Sequence, residues 1–213
     1  MIQWLHSIRA PKKRYTVWQG IRRILLCLLL GAALGALAKQ LDLASCSGAA
    51  FWERALEWLN LRNFLSDFPF WLAVGLAIAV YAPSAFQAGD GVFFFFLGMC
   101  GAYHWYSIQF GGFNPSGYMR IWYGLTAVSP VLGWLCWYAK GKGPAAACIQ
   151  TLILTVLLLS CFGIGFWYFD FWGILYTATF LICVFMLNVT PKRTLACLGS
   201  AVLLAFLLRG TIL

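Results

Sequence analysis

The residues that could do chemistry are concentrated between Gly91 and Gly143. This stretch reads GVFFFFLGMCGAYHWYSIQF, then a polar GGFNPSGYMR turn, then IWYGLTAVSPVLGWLCWYAKGKG. Cys100 and His104 are four residues apart, so on a helix they share one face. A thiol beside an imidazole can act as a nucleophile with its base. Such a spacing arises easily in a cysteine-rich apolar chain, and the pair alone does not establish catalysis.

A second set of polar and aromatic residues lies around His104 and at the ends of neighbouring apolar segments. The set comprises Lys39, Tyr103, His104, Tyr106, Gln109, Arg120, Tyr123 and Asp170. Polar side chains within membrane-spanning helices normally face the interior of the helix bundle or a water-filled cavity, because the hydrocarbon of the bilayer offers them no partner. We predict that they line a substrate-binding pocket, polar and aromatic-walled, that opens to the outside. An ordinary aromatic belt, with His104 as a packing residue, is the alternative.

Signatures of other enzymes and of metal sites are missing from the apolar segments. They contain no GxSxG, HExxH or P-loop motif and no pair of aspartates. His6 precedes the first segment, so His104 is the only imidazole expected in the membrane. None of the eight cysteines forms a CxxC pair or zinc-site spacing. We expect no metal, cofactor or disulfide framework, and we favour a non-enzymatic protein; an intramembrane thiol enzyme is a third hypothesis.

The composition is that of a membrane protein. Hydrophobic residues make up 62% of the 213 residues and charged residues 10%, whereas soluble domains carry about 25% charged residues. Each helical span needs roughly 20 apolar residues. The net charge of +9 comes from 15 Lys and Arg against 6 Asp and Glu. Because these cations flank apolar segments, they indicate orientation and contact with anionic lipid at the cytoplasmic face, and not nucleic-acid binding.

The hydropathy pattern predicts an all-α, polytopic transmembrane bundle with about seven spans. A basic cytoplasmic leader occupies residues 1–23, and a single transmembrane domain occupies residues 24–213. The predicted spans are about 24–38, 69–82, 92–110, 121–139, 145–166, 173–189 and 195–208. Whether the last segment crosses fully is left open.

Three local patterns refine this arrangement. Residues from about 51 to 66 predict an amphipathic helix on the outer membrane surface, since Trp52, Ala55, Leu56 and Leu59 share a face. In the first span, the GxxxG spacing of Gly31 and Gly35 would let another helix approach closely. In the fourth, Pro130 removes a backbone hydrogen bond and predicts a kink. A turn is expected at 82–91, which contains Asp90.

The distribution of charge predicts an orientation. With seven spans and a cytoplasmic N-terminus, one acid, Asp90, lies inside. The cations inside are Arg9, Lys12, Lys13, Arg14, Arg22, Arg23, Lys140, Lys142, Lys192 and Arg193. The outer side keeps five cations and five acids. This is the asymmetry that the positive-inside rule requires, and it places the C-terminus outside.

Three runs of residues carry a resemblance to a known family. FFFLGMCGAYHWY, YMRIWYGLTAVSPVLGWLCWYAKGKG and FWYFD are similar to a family of small bacterial multi-pass membrane proteins of unknown function. The resemblance covers about residues 20–210. It implies a bacterial plasma-membrane protein and supplies no catalytic or binding residues.

Two functions from different classes fit these patterns. The first is a small-molecule or lipid binding or transport component, with its site in the predicted outer pocket. The alternative is a membrane-anchored subunit of defence, immunity or assembly type. Such a subunit would bind a protein partner, or oligomerise, through its basic cytoplasmic face.

Overall fold

The computed structural model describes residues 2–11, 16–43, 51–165 and 167–209. These residues form an all-helical bundle, as predicted, with one small hairpin. The helices are α1 (Ile2–Ile8), α2 (Val17–Leu43), α3 (Phe51–Trp58), α4 (Leu61–Ser66), α5 (Phe68–Val80), α6 (Ala85–Gln109), α7 (Ser116–Tyr138), α8 (Gly143–Cys161), α9 (Ile174–Leu187) and α10 (Pro191–Leu208). Antiparallel strands β1 (Phe162–Ile164) and β2 (Phe169–Phe171) lie between α8 and α9. Lys12, Lys13, Arg14, Cys46 and Phe166 lie outside the described residues.

A helix occupies the position of every predicted span. Four helices in the described part of the chain, α2, α6, α8 and α10, are long and apolar enough to cross a membrane. Helices α5 and α9 are apolar but have only 13 and 14 residues. Helix α7 has 23 residues and carries Arg120 in its first turns. The helices thus support an integral membrane protein, while the total of seven spans stays a prediction.

The turn predicted at 82–91 is wrong, because α6 begins at Ala85. The Ser84 side chain caps this helix by accepting a hydrogen bond from the backbone N–H of Gln87 at 3.3 Å. Gly89, which suggested a turn, instead allows close helix packing: a Cβ there would lie 2.7 Å from the Pro130 carbonyl oxygen. Asp90 therefore belongs to a helix and not to a loop.

The surface segment predicted at about 51–66 consists of two short helices, α3 and α4. Asn60 separates them in the left-handed conformation, with φ 51°, which Asn tolerates better than most residues. The buried residues of α4 are Phe64 and Leu65, which belong to the main core. The prediction of an amphipathic helix depended on Trp52, Ala55 and Leu56, among others. The side chains of these three residues are not among those that the structure describes.

Helices α2 and α6 cross at three glycines. A Cβ on Gly31 would lie 1.9 Å from the Phe95 carbonyl oxygen, and one on Gly98 would lie 2.2 Å from the Leu28 carbonyl oxygen. Gly35 approaches the Met99 carbonyl oxygen in the same way. The close approach predicted for the GxxxG spacing thus occurs within the chain, against α6. It brings Phe95 and Met99 into the main core.

Helix α7 continues through Pro130 to Tyr138. Because proline has no N–H, the carbonyl of Thr126, four residues earlier, loses its helical donor. The Ser129 hydroxyl donates to this oxygen at 2.8 Å instead. Ser129 therefore compensates for Pro130 inside an apolar bundle; the kink itself stays a prediction.

Candidate functional sites

His104 connects helix α6 to α7 and to the loop between them. Its Nδ1 lies 2.7 Å from the Tyr123 hydroxyl, and its Nε2 lies 2.9 Å from Oδ1 of Asn114. Because an amide oxygen only accepts, Nε2 carries the proton, and in neutral His104 Nδ1 accepts from Tyr123. His104 is partly exposed and Tyr123 exposed. Both ring nitrogens are therefore occupied within the fold.

Lys39 forms a second pair with predicted pocket residues. Its side chain is only 3% exposed, and its Nζ lies 2.5 Å from Oδ2 of Asp42. The ammonium also lies 5.1 Å from the ring centre of Tyr103 and 4.8 Å from that of Phe113. Rings at this distance attract a cation through their quadrupole. The buried charge of Lys39 is thus balanced by one carboxylate and two rings.

The other predicted pocket residues are more dispersed. Tyr106 is partly exposed and packs on Phe110, with ring centres 4.5 Å apart. Gln109, Arg120 and Asp170 are exposed. Within the described residues, these three side chains form no hydrogen bond or ion pair. Direct contacts therefore join Lys39 to Tyr103 and His104 to Tyr123, but link neither pair to Gln109, Arg120 or Asp170.

Cys100 and His104 do not form a thiol–imidazole pair. Cys100 is fully buried, and its Sγ lies 3.4 Å from the Thr126 hydroxyl. Both nitrogens of His104 are bonded elsewhere. A nucleophile and its base must be within hydrogen-bonding reach, and this geometry gives the thiol hypothesis no support.

A small cavity lies beside Tyr103, between α4, α5, α6 and α7. Its volume is about 10 Å³, close to the minimum for one water molecule. The Ser66 hydroxyl is buried without a partner among the described residues, while the Ser66 carbonyl accepts a hydrogen bond from Tyr118 at 3.3 Å. This site can hold a water molecule but not a larger ligand.

A much larger cavity is an apolar groove that was not predicted from the sequence. It has a volume of about 320 Å³ and lies between α5, α6, α7 and α8. On α7 it extends from Trp122 to Cys136, a rise of about 21 Å. We call it the lateral groove, because its lining residues Leu125, Leu132 and Leu152 are exposed on the bundle surface.

The lateral groove offers a ligand almost no polar contact. Ser129 is its one hydroxyl-bearing lining residue, and that hydroxyl donates to Thr126. Small residues, among them Gly75 and Gly133, contribute to the walls. In the sequence, glycines that line a groove cannot be distinguished from glycines that pack one helix on another, as in α2 and α6. The glycine pattern therefore did not predict the groove.

The basic end of the bundle is organised by arginines that bind helix carbonyls. Arg9, just after α1, donates to the carbonyl of Trp137 at the end of α7 and, at 3.0 Å, to that of Val80 at the end of α5. Burial lowers the pKa of the Arg9 guanidinium from its ordinary value, although arginine stays charged at neutral pH. Ile8 is buried beside it, and its carbonyl accepts from the Lys142 N–H at 2.7 Å. The start of the chain is thus packed onto the bundle.

Two further arginines act in the same way. Arg23 donates to the Ile78 carbonyl at 2.9 Å. Arg193 donates at 2.8 Å to the carbonyl of Ala139, which caps the end of α7, and at 2.7 Å to that of Gly141 in the following loop. The last carbonyls of a helix lack helical partners and carry partial negative charge, so cations stabilise them. Part of the positive charge predicted for the cytoplasmic face is therefore used within the fold.

No protein-family model, curated protein or solved structure matches this chain. No group of three or more His, Cys, Asp or Glu in the described ranges is placed to hold a metal ion. A functional assignment therefore depends on the geometry of the chain itself.

Proposed function

We propose that the protein is a lipid-binding component of a bacterial plasma membrane, and that one acyl chain of an anionic phospholipid occupies the lateral groove. The observation that supports this proposal is the groove itself: about 320 Å³ of apolar space that reaches the bundle surface at Leu125, Leu132 and Leu152. Its length along α7, about 21 Å, compares with a hydrocarbon core about 30 Å thick. An acyl chain is the ligand with this shape and chemistry.

The headgroup must supply most of the selectivity. An acyl chain gains little hydrophobic free energy on moving from bilayer to groove, because lipid tails are as apolar as the leucines that line it. The loop that joins α7 to α8 contains Lys142, whose side chain is exposed. Since α7 and α8 form two walls of the groove, this loop lies at one groove end. A phosphate there meets a cation, which favours anionic lipid.

The orientation is part of the same proposal. The ends of α5 and α7 and the starts of α2 and α10 meet through Arg9, Arg23 and Arg193, so one end of the bundle collects basic residues. We assign this end to the cytoplasm by the positive-inside rule. The pairs His104–Tyr123 and Lys39–Tyr103 then face outward, and a polar ligand site around them stays a prediction.

Photo-crosslinking tests the lipid assignment. The full chain, purified and returned to vesicles, is irradiated with phosphatidylglycerol that carries a diazirine in its acyl chain. We expect labelled peptides from α7 and α8, and we expect Leu132→Trp, which fills the groove, to reduce the labelling strongly. Val128→Trp is the matched control, since Val128 is exposed on the same helix but does not line the groove.

A variant at Lys142 tests the role proposed for the lipid headgroup. Lys142→Gln should reduce labelling by phosphatidylglycerol but leave labelling by a phosphatidylcholine analogue unchanged. If Leu132→Trp labels as strongly as the unmodified protein, an acyl chain does not occupy the groove and the proposal fails.

A further inference from the structure

A second crevice lies on the side of α7 that faces away from the lateral groove. It has a volume of about 220 Å³ and is lined by Phe86, Gly89 and Asp90 of α6 and by Pro130, Val131 and Trp134 of α7. None of these residues lines the lateral groove. The two helices touch at Gly89 and Pro130, and the crevice lies beside that contact.

Asp90 supplies the crevice with a carboxylate that has no partner among the described residues. Its side chain is half-buried, and it forms no hydrogen bond or ion pair with any described residue. The described arginines that are partly buried at this end, Arg9, Arg23 and Arg193, bind backbone carbonyls instead. Desolvating a carboxylate without a cation is unfavourable, so the crevice is suited to a positively charged ligand.

Aromatic rings complete the crevice walls. Phe86 is 75% exposed, although it lines the crevice. Trp134 lies opposite on α7 and packs edge-on against Tyr138, with ring centres 5.1 Å apart. A carboxylate together with Trp and Phe faces is the combination that binds organic ammonium groups.

The depth of Asp90 fits a lipid headgroup. It lies five residues after the start of α6, a rise of about 8 Å. Helix α6 has 25 residues and so is about 37 Å long, whereas the hydrocarbon core is about 30 Å thick. If α6 is centred in the bilayer, the backbone of Asp90 lies about 4 Å inside the boundary of the hydrocarbon core, a distance that its side chain and an ethanolamine group can bridge between them.

We propose that this crevice binds an ammonium group, with Asp90 as its counter-ion and Phe86 and Trp134 as its aromatic walls. The ammonium group is that of a phospholipid headgroup such as phosphatidylethanolamine, or that of a free organic amine. This site is separate from the lateral groove and selects the opposite charge. The two sites involve different residues, so a test of this site does not depend on the proposed function.

Native mass spectrometry of the full chain tests this site. The protein, in a maltoside detergent, is titrated with phosphatidylethanolamine or phosphatidylglycerol. We expect Asp90→Asn to weaken phosphatidylethanolamine binding by about tenfold, which corresponds to roughly 1.4 kcal/mol, and to leave phosphatidylglycerol binding unchanged. Asp170→Asn is the matched control, because Asp170 is an exposed acid in the hairpin. Phe86→Leu, at an exposed position that should not affect folding, should weaken the same binding less.

Free ethanolamine distinguishes the two sources of the ligand. If it displaces the lipid, the crevice recognises the amine alone; if the lipid stays bound but Asp90→Asn releases it, the crevice recognises a lipid-borne amine. Either outcome supports the site. Phosphatidylethanolamine binding that Asp90→Asn leaves unchanged overturns it, whatever the affinity for phosphatidylglycerol, which the lateral groove would also bind.

Discussion

The guanidinium of Arg9 lies 4.3 Å from the centre of the Trp137 ring and donates a hydrogen bond to the carbonyl of the same residue. It also binds the Val80 carbonyl, so one side chain holds the ends of α5 and α7 together. By sequence alone, Arg9 is one of ten cations that predict the cytoplasmic face. The structure gives it a specific partner on each of two helices.

Arg9→Met should lower the stability of the bundle by about 1–3 kcal/mol, because two carbonyls lose a charged donor and the Trp137 ring loses its cation. Thermal unfolding in detergent measures the effect. Arg22→Met is the control, since Arg22 is exposed at the same end. Equal losses for the two variants would mean that the carbonyl contacts contribute nothing specific.

Gly98→Val should prevent correct packing of α2 on α6. Its Cβ would lie 2.2 Å from the Leu28 carbonyl oxygen, and backbone cannot move aside as a side chain can. Gly101→Val is a matched control on the same helix, because a Cβ at Gly101 meets no atom within 4 Å. Fluorescence-detected size exclusion should show loss of the monodisperse peak for Gly98→Val alone, and a normal peak would contradict the close crossing.

Asp42→Asn should destabilise the protein more than Lys39→Met. The first change leaves a nearly buried ammonium without its carboxylate, whereas the second leaves a carboxylate on a side chain that is 35% exposed. We expect a loss on the order of 2 kcal/mol for Asp42→Asn, below that of a fully buried pair because water screens this one. Thermal unfolding of both single variants and the double variant checks the order, and the reverse order would mean that the rings alone stabilise Lys39.

Cysteine labelling can test the orientation, in a background where the native cysteines are replaced by serine or alanine. Lys142→Cys should react with a membrane-impermeant maleimide only after the cell is opened, whereas Trp167→Cys should react in intact cells. Both positions are exposed, Trp167 at 95%. Reaction of both from one side would contradict an odd number of crossings between them, and with it the seven-span topology.

The sequence predicted the helices well and the cavities poorly. A long apolar segment predicts a helix whatever packs against it. Each of the seven predicted spans accordingly overlaps one helix, α2 or one of α5 to α10. The start of α6 was misplaced because Gly89 and Gly91 are typical of turns, and only tertiary packing shows that they serve helix contacts. Local pattern therefore predicted the helices but not their ends, and it missed the hairpin: α8 ends at Cys161, and strand β1 (Phe162–Ile164) lies within the span predicted at 145–166.

For the candidate sites, the difference between sequence and structure has a geometric cause. His104 and Tyr123 were both named, and they are in contact, since adjacent antiparallel helices bring their ends together. The lateral groove lies between side chains of four helices, α5 to α8, and the hydropathy of each helix does not show how the four pack together. Asp90 was expected in a cytoplasmic turn, so its place on α6 in a crevice with Trp134 was not predicted.

The position of Arg9 also constrains the order of assembly. Its carbonyl partners Val80 and Trp137 follow it in the sequence by 71 and 128 residues. The carbonyl of Ile8 likewise accepts its hydrogen bond from the N–H of Lys142. Ile8 and Arg9 are therefore fixed in place only after synthesis has passed Lys142. The segment that contains Ile8 and Arg9 therefore completes the packing of the bundle last, and a change that blocks this segment should impair assembly even if every helix inserts.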